Sequence, residues 1–307
     1  MDLIYYHGNC TDGWAAAYVA HLKYPEAKLV PAFYSTEPPY EDVEGKDVLM
    51  VDFSWKGRDV NIKLNLLSKS LHIFEHHKTA AETLKDLEFV VYDVNRSGAG
   101  LAWDYLFGKD KYFSGVDKLH TDESIYFPWL ARPWWVDYVE DYDIWTKKLP
   151  AIEEVSAFLH STPKTIGAWD DIDKIDLSEA EILGTGAWQQ IRYQTDALVA
   201  LANEGSAWGY TLGIVNGPFF TTTEVGHELA KVYDIGIVWS VRKDGKIAFG
   251  LRSVGGVDVS KVAQKFGGGG HMNSAGFEMD QQKGLALINS ITHMWPYLQY
   301  GTEPRCV

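Results

Sequence analysis

The turn His7-Gly8-Asn9-Cys10-Thr11-Asp12 crowds an imidazole, an amide, a thiol and a carboxylate into six positions between an apolar run and the segment Gly13-Trp14-Ala15-Ala16-Ala17. Asp52 follows the run "VLMV", and Glu75-His76-His77 follow "LHIF". Each of these groups stands at the carboxyl end of an apolar run that reads as a strand, the edge at which open parallel sheets bind ligands. Three strand ends delivering His7, Asp52 and His76-His77 to one edge would assemble imidazoles and carboxylates suited to Mn2+ or another borderline divalent ion. Asp12, on the first turn of the helix after the first strand, would face the same crevice. Taken singly, each residue has a plainer reading. A lone aspartate at a strand end is a helix cap or turn residue, and a lone histidine is a satisfied core or surface group. The adjacent pair His76-His77 is harder to dismiss, because a bend lets one imidazole bind metal while its neighbour contacts substrate.

The elements that would position these groups alternate along the first hundred residues. Strands are expected at 3–7, 28–33, 47–54, 71–77 and 89–93, with helices at 12–24, 57–68 and 97–107. Strands and helices in turn imply crossover connections and a mostly parallel sheet. A Trp-rich helical stretch with an acidic cluster occupies 129–149, and the polar segment 161–181 reads as a loop with a domain boundary nearby. Residues 179–205 read as one long helix, interrupted by glycines, that joins two domains. The last hundred residues alternate again. Strands are expected in "YTLGIVN", "GIVWSVRKDGKIAFGLRS" (a hairpin turned at Asp244-Gly245) and "AGFEM", and helices at 223–232, 258–266 and 282–294. The expected architecture is therefore α/β in two domains: an N-terminal, mostly parallel sheet flanked by helices over 1–175, a connecting helix over 176–207, and a smaller α/β domain over 208–307.

A second candidate site lies in the run Gly267-Gly268-Gly269-Gly270-His271. Consecutive glycines are costly in conformational entropy and are tolerated where backbone approaches a ligand or adopts positive φ. The run fits a turn whose N–H groups cradle an anion, with His271 reaching the same group. The alternative is a flexible loop, but a helix immediately before and a strand immediately after leave no room for a linker.

Bulk properties narrow the partners. With 46% hydrophobic and 23% charged residues, the 307-residue chain reads as folded and soluble, with length enough for two ordinary domains. A net charge of −14 excludes a protein that coats long nucleic acids, an affinity that rests on many Lys/Arg contacts to phosphate. A short anionic substrate held by a local metal or cationic site is compatible with it. Cys10 and Cys306, at opposite ends of the chain, make no disulfide framework. No window approaches the roughly 18 apolar residues of a membrane span, and the N-terminal residues lack a basic region and an apolar run. A cytoplasmic protein without membrane partners is the expectation; a homodimer is admitted.

The motifs "HGNCTDGWAAA", "VDFS", "EHHKTA" and "FGGGGHMNSAGF", in that order, resemble the successive motifs of the DHH phosphoesterase family with its companion DHHA1 domain. The branch most similar is that of the nano-RNases, or oligoribonucleases, together with cyclic-nucleotide phosphodiesterases. The resemblance spans nearly the whole chain, and "GGGGH" with the preceding "GLRS" is its most specific part. It implies an active site in the cleft between the domains and two Mn2+ ions, with Mg2+, Co2+ or Zn2+ as substitutes. His7 and Asp52 would bind one ion. Asp12, Asp52, His76 and an aspartate of "VEDYDIW", Asp141 with Asp143 as its alternative, would bind the other. Asp52 would bridge, and His77 would contact the scissile phosphate. Arg252 and the loop Gly268, Gly269, Gly270, His271 would hold the far end of the substrate. In "NRSGAGLAW", Arg96 would reach a phosphate or form a surface salt bridge, and Ser97 would cap a helix.

Two positions depart from the family pattern. Glu75 stands where the triplet usually begins with Asp, and can still serve a hydrogen bond to a ligand histidine. Cys10 stands where the first motif often has an earlier aspartate; a thiolate there would soften the site toward Zn2+, and otherwise Cys10 is a small filler beneath it. The activity implied is a two-metal phosphodiesterase that hydrolyses short oligonucleotides with an activated water. A phosphomonoesterase of pAp type, a pyrophosphatase and a cyclic-nucleotide phosphodiesterase share the same centre. A nucleotide- or RNA-binding module that has lost catalysis is the non-enzymatic alternative.

Overall fold

The computed structural model describes residues 1–8, 10–34, 36–108 and 132–292. Asn9, the first part of the Trp-rich stretch (129–131) and Cys306 lie outside the described residues. The chain divides into two compact units, Met1–Trp188 and Gln189–Val307.

In the first unit, β1 (Leu3–His7), α1 (Thr11–Lys23), β2 (Lys28–Ala32), α2 (Tyr40–Val43), β3 (Asp47–Val51), α3 (Arg58–Leu67), β4 (Ser70–Glu75), α4 (Lys78–Leu84), β5 (Val90–Tyr92) and α5 (Gly98–Phe107) follow one another. The five strands form one sheet in the order β2-β1-β3-β4-β5, with every pair parallel. Alternate residues of each strand face opposite sides. Ile4, Tyr6, Leu49, Val51 and Phe74 enter one apolar cluster with α1 and α5, and Leu3, Tyr5, Val48, Met50, Leu71 and Ile73 enter the other with Leu64 of α3 and Leu84 of α4. Because β1 lies between β2 and β3, the direction of winding reverses at β1. In open parallel sheets the crevice at such a switch point is the ligand site.

The other elements described in this unit are helices: α6 (Trp134–Asp143), α7 (Ile152–Ser161), α8 (Ile166–Ile172) and the first part of α9 (Leu177–Val199). The expected loop at 161–181 is therefore largely helix. Its acidic composition conceals two anchors one turn apart, Trp169 and Ile172, both buried in the cluster that holds Trp14, Tyr18 and Trp135. Tyr18 donates a hydrogen bond to Asp170 at 2.8 Å, which ties α8 to α1. Gly184 of α9 is a packing glycine, since a Cβ there would stand 1.8 Å from the Glu154 carbonyl.

After α9 the second unit contains β6 (Asn203–Ala207), β7 (Tyr210–Asn216), a short 3-10 turn at Phe219–Thr221, α10 (Thr222–Ala230), β8 (Ile235–Val241), β9 (Ile247–Arg252), α11 (Val259–Gln264), β10 (Gly269–Gly270), β11 (Ser274–Met279) and α12 (Gln281–Thr292). The six strands run in the order β10-β11-β9-β8-β7-β6; only β7 and β8 pair in parallel. The long helix expected to reach residue 205 ends at Val199, and Asn203–Ala207 is a strand. Trp208 and Gly209, both at positive φ (58° and 85°), turn it back on β7 as a hairpin. The expected hairpin at Asp244-Gly245 is present, with Gly245 at φ 82°.

Candidate metal centre

The carboxyl ends of β1, β3 and β4 bring His7, Asp52 and Glu75-His76-His77 to one place. Asp52 is the hub. It follows β3 directly at φ 55°, a left-handed conformation that Asp tolerates better than most residues. Its amide donates to the Phe74 carbonyl at 3.0 Å. Its buried carboxylate meets His76 Nε2 at 2.8 Å and His7 Nδ1 at 3.6 Å, and His77 Nδ1 lies 3.9 Å away. Asp12 projects from the first turn of α1 to within 3.5 Å of His76 Nε2. The amides of Gly98 and Ala99 hold Asp12, donating to its two oxygens at 2.6 and 2.9 Å from the N-terminus of α5.

Sequence reasoning placed Asp141 ahead of Asp143 at this site; the structure places Asp143 there. Asp143 Oδ2 lies 3.8 Å from His76 Nδ1. Asp141 is turned away into the loop after α6, where its carboxylate accepts the Thr146 hydroxyl and the amides of Lys148 and Leu149 at 2.9 and 3.0 Å. Two residues on a helix are about 200° apart around its axis, so one of the pair faces the cluster and the other cannot. Asp141 is a structural anchor; burial pushes its carboxyl up, but the Thr146 hydroxyl and the two amides outweigh that and hold it below the usual range.

Within this unit the donor atoms form two trios, His7–Cys10–Asp52 and Asp12–His76–Asp143, each with one ligand atom per residue lying within 4.8 Å of the others. The electrostatics fit cations. Burial drives the Asp12 carboxyl well above its usual range, and the neighbouring Asp143 and Asp52 add to the effect. Burial works the same way on Asp52, but hydrogen bonds from His7 and His76 overcome it and hold that group well below the carboxylate range. Burial opposes the charge on His76, yet the bond to Asp52 and the fields of Asp143, Asp52 and Asp12 raise it well above the ordinary imidazole value. Two buried carboxylates, Asp12 and Asp52, thus lie beside the more exposed Asp143, with histidines as their countercharge. Buried charge of this kind is stable only when paired or coordinating a metal, and imidazole, carboxylate and thiolate are the donor types of divalent transition ions.

Around the trios stand residues that sequence reasoning did not single out. A Cβ on Gly13 would lie 2.2 Å from the His7 carbonyl and 3.0 Å from Asp52 Oδ2, and one on Gly98 would lie 2.4 Å from the Asp52 Cβ. Both glycines let helix N-termini press against His7 and Asp52. Tyr34 and Phe53 wall the His7 ring, with centroids 5.4 and 6.1 Å from it. The signal in the sequence is a glycine in the first turn of each helix, Gly13 in α1 and Gly98 in α5. Glu75, fully buried, accepts from His77 Nδ1 at 2.9 Å and so fixes that ring. Glu75 therefore acts on His77, the neighbour of His76.

Arg96 does not point to a substrate. Its guanidinium donates to Glu140 at 3.0 Å and to Asp104, in a network joined by Arg132. The salt-bridge alternative is the one observed, and it fastens α5 to α6. Ser97 caps α5, accepting from the Gly100 amide at 3.0 Å.

Comparison with known proteins bears on the whole chain. Residues 223–294 match the DHHA1 domain family. Among solved structures, the DHH domain of a member of the s1p family of ribosomal proteins is similar with a TM-score of 0.57 at 12% identity, over 94% of this chain and 84% of that one. RecJ from Thermus thermophilus, solved in complex with Mn2+, is similar with a TM-score of 0.53 at 15% identity, over 98% of this chain and 52% of that one. The chain combines a DHH-type fold with a DHHA1 domain. It is also 24% identical over 321 aligned residues to an uncharacterized protein of Acanthamoeba polyphaga mimivirus, a match that covers 95% of this chain and 70% of that protein.

In the DHHA1 domain three amides of the expected anion cradle are taken up by neighbouring backbone. The amides of Gly267 and Gly268 donate to the carbonyls of Gln264 and Ala263, and that of His271 to Ser274 at 2.7 Å. Gly269 and Gly270 form β10 against β11. A Cβ on Gly268 would stand 2.1 Å from the Gly276 carbonyl, and Gly270 adopts φ 137°. Gly268 and Gly270 are required where backbone packs on backbone. Arg252, at the end of β9, donates to the Leu251 carbonyl at 3.0 Å and the Thr223 hydroxyl at 2.9 Å, which fixes its guanidinium above the start of α10. No helix among the described residues is long and apolar enough to cross a membrane.

Proposed function

We propose that this protein is a divalent-metal-dependent phosphodiesterase that hydrolyses short oligonucleotides. The observation that carries the reading is the meeting of His7, Asp12, Asp52, His76 and Asp143 at the switch point of the parallel sheet, with Asp52 2.8 Å from His76. The fold-level likeness to RecJ, solved with Mn2+, supports the choice of metal. When bound, divalent cations lower the pKa of water toward neutrality and neutralise charge developing on phosphoryl oxygens.

The protein's own residues do the rest. Asp52 presents one oxygen to His7 and Cys10 and the other to His76, so a single carboxylate sets the spacing of the two positions. Asp12 is oriented by two amides of α5. Glu75 fixes His77 beside Asp52, where the imidazole meets the scissile phosphate. Arg252 holds a second anionic group of the substrate. This division of labour needs no basic surface, consistent with a net charge of −14.

The test is hydrolysis of a chromogenic phosphodiester and of 5′-pApA with added Mn2+, for the native protein and for Asp52→Ala. We expect turnover of both substrates and a loss of at least about 10²-fold in the variant. Binding of the dinucleotide without turnover by the native protein would instead make it a binding module. Parallel assays with pAp, pyrophosphate and a cyclic nucleotide rank the alternative phosphoesters.

A further inference from the structure

The two trios at the site are unlike in one respect: only one of them contains sulfur. Cys10 Sγ lies 3.3 Å from His7 Nδ1 and 3.2 Å from Asp52 Oδ2, so the thiol is aimed into the cluster. Its local structural role is to cap α1, accepting from the Gly13 amide at 3.2 Å. Capping does not call for sulfur, since Ser, Thr, Asp and Asn are the preferred caps. The other trio, Asp12, His76 and Asp143, offers only oxygen and nitrogen.

We infer that the two cation positions select different ions: His7, Cys10 and Asp52 take a borderline, thiophilic ion such as Zn2+ or Co2+, and Asp12, His76 and Asp143 take a harder one such as Mn2+ or Mg2+. This rests on the two-cation reading above and goes beyond it by making the centre heterometallic. Thiolate ligands favour zinc and other soft ions, carboxylates favour manganese and magnesium, and raw affinity for divalent ions rises from Mn2+ toward Zn2+. With Asp52 between the trios, both ions share one carboxylate, and the choice between them falls to the residues that are not shared: sulfur on one side, two further carboxylates on the other. Coordination forms an Sγ–metal bond and releases the thiol proton to solvent.

The experiment uses the full-length protein, reduced and free of oxygen, titrated with Co2+ and followed in the near-ultraviolet, where a thiolate bound to Co2+ absorbs by charge transfer. Cys10→Asp and Cys10→Ser both keep an oxygen for the helix cap, and thermal unfolding verifies that they fold. Cys306→Ser removes the other thiol. The expected result is a charge-transfer band for one thiolate in the native protein and in Cys306→Ser, and its loss in Cys10→Asp and Cys10→Ser with the second ion still bound. Under equimolar Zn2+ and Mn2+, elemental analysis is expected to find one of each in the native protein and a shift toward two like ions in Cys10→Asp. Two bound Co2+ ions without the band, or a band that survives in Cys10→Asp, would overturn the inference while leaving the two-cation site standing. Failure of the native protein to bind any divalent ion would overturn both.

Discussion

Among the described residues, carboxylates are buried in the N-terminal unit and not in the C-terminal one. Among the described residues, Asp12, Asp52, Glu75 and Asp141 are buried in the N-terminal unit, whereas the buried polar side chains of the C-terminal unit are the hydroxyls of Thr195, Thr221, Thr222, Ser253 and Ser260 and the imidazole of His227. Burying an ionised group costs far more than burying a hydroxyl that finds a partner. Asp141 meets that cost with amides and a hydroxyl, and Glu75 with His77. Asp12 and Asp52 sit together with His76, in an arrangement that a cation would complete. The glycines differ in the same way. Gly98 makes room for the side chains of Asp12 and Asp52, while Gly268 and Gly276 make room for neighbouring backbone. One unit is built around charge and the other around close packing.

Substitutions that add a single methyl group test this contrast. Gly98→Ala would force apart Asp12 and Asp52, and displacement of a reacting group by about 1 Å can cost 10²-fold in rate. The expected outcome is a loss of that order in phosphodiesterase activity, with weaker Mn2+ binding by calorimetry and an unchanged circular dichroism spectrum. Gly268→Ala puts its methyl group against the Gly276 carbonyl and should lower stability by about 1–3 kcal/mol, the usual cost of overpacking. Urea unfolding measures this, and the number of Mn2+ ions bound should stay the same. If Gly268→Ala instead abolished metal binding, the separation of roles between the units would be wrong.

The smallest change compares two neighbouring acids. Asp143→Asn should weaken Mn2+ affinity by about tenfold or more, the scale seen when groups orienting or holding a metal are altered. Asp141→Asn should leave that affinity unchanged and lower stability by about 1 kcal/mol, the net worth of a hydrogen bond, measured by the shift in urea midpoint. Equal effects of the two on metal binding would erase the distinction between them.

Much of this was legible in the letters. An apolar run ending abruptly in His7, Asp52 or Glu75-His76-His77 marks both a strand and the edge at which it ends, so the five parallel strands and most of the donor atoms follow from pattern alone. The choice between Asp141 and Asp143 did not, because it depends on where α6 stops and which way its last turn faces. Residues 161–181 looked like a loop because two apolar anchors, Trp169 and Ile172, are diluted among acids. Asn203–Ala207 lacks the apolar alternation of a strand and pairs only as an edge, so it was merged with the helix before it. The glycine run reads as a ligand cradle, yet close approach to a phosphate and close approach to a neighbouring strand demand the same residue. The letters give no way to tell those two apart.

The most direct measurement is anomalous diffraction from crystals of the full-length protein soaked in Mn2+. The account predicts two peaks, about 3.5–4 Å apart as in two-metal phosphoesterase sites, one against His7 and Asp52 and the other against Asp12, His76 and Asp143, with the Asp52 carboxylate between them. A pocket without a peak at full Mn2+ loading, or peaks ligated by Asp141 instead of Asp143, would contradict it.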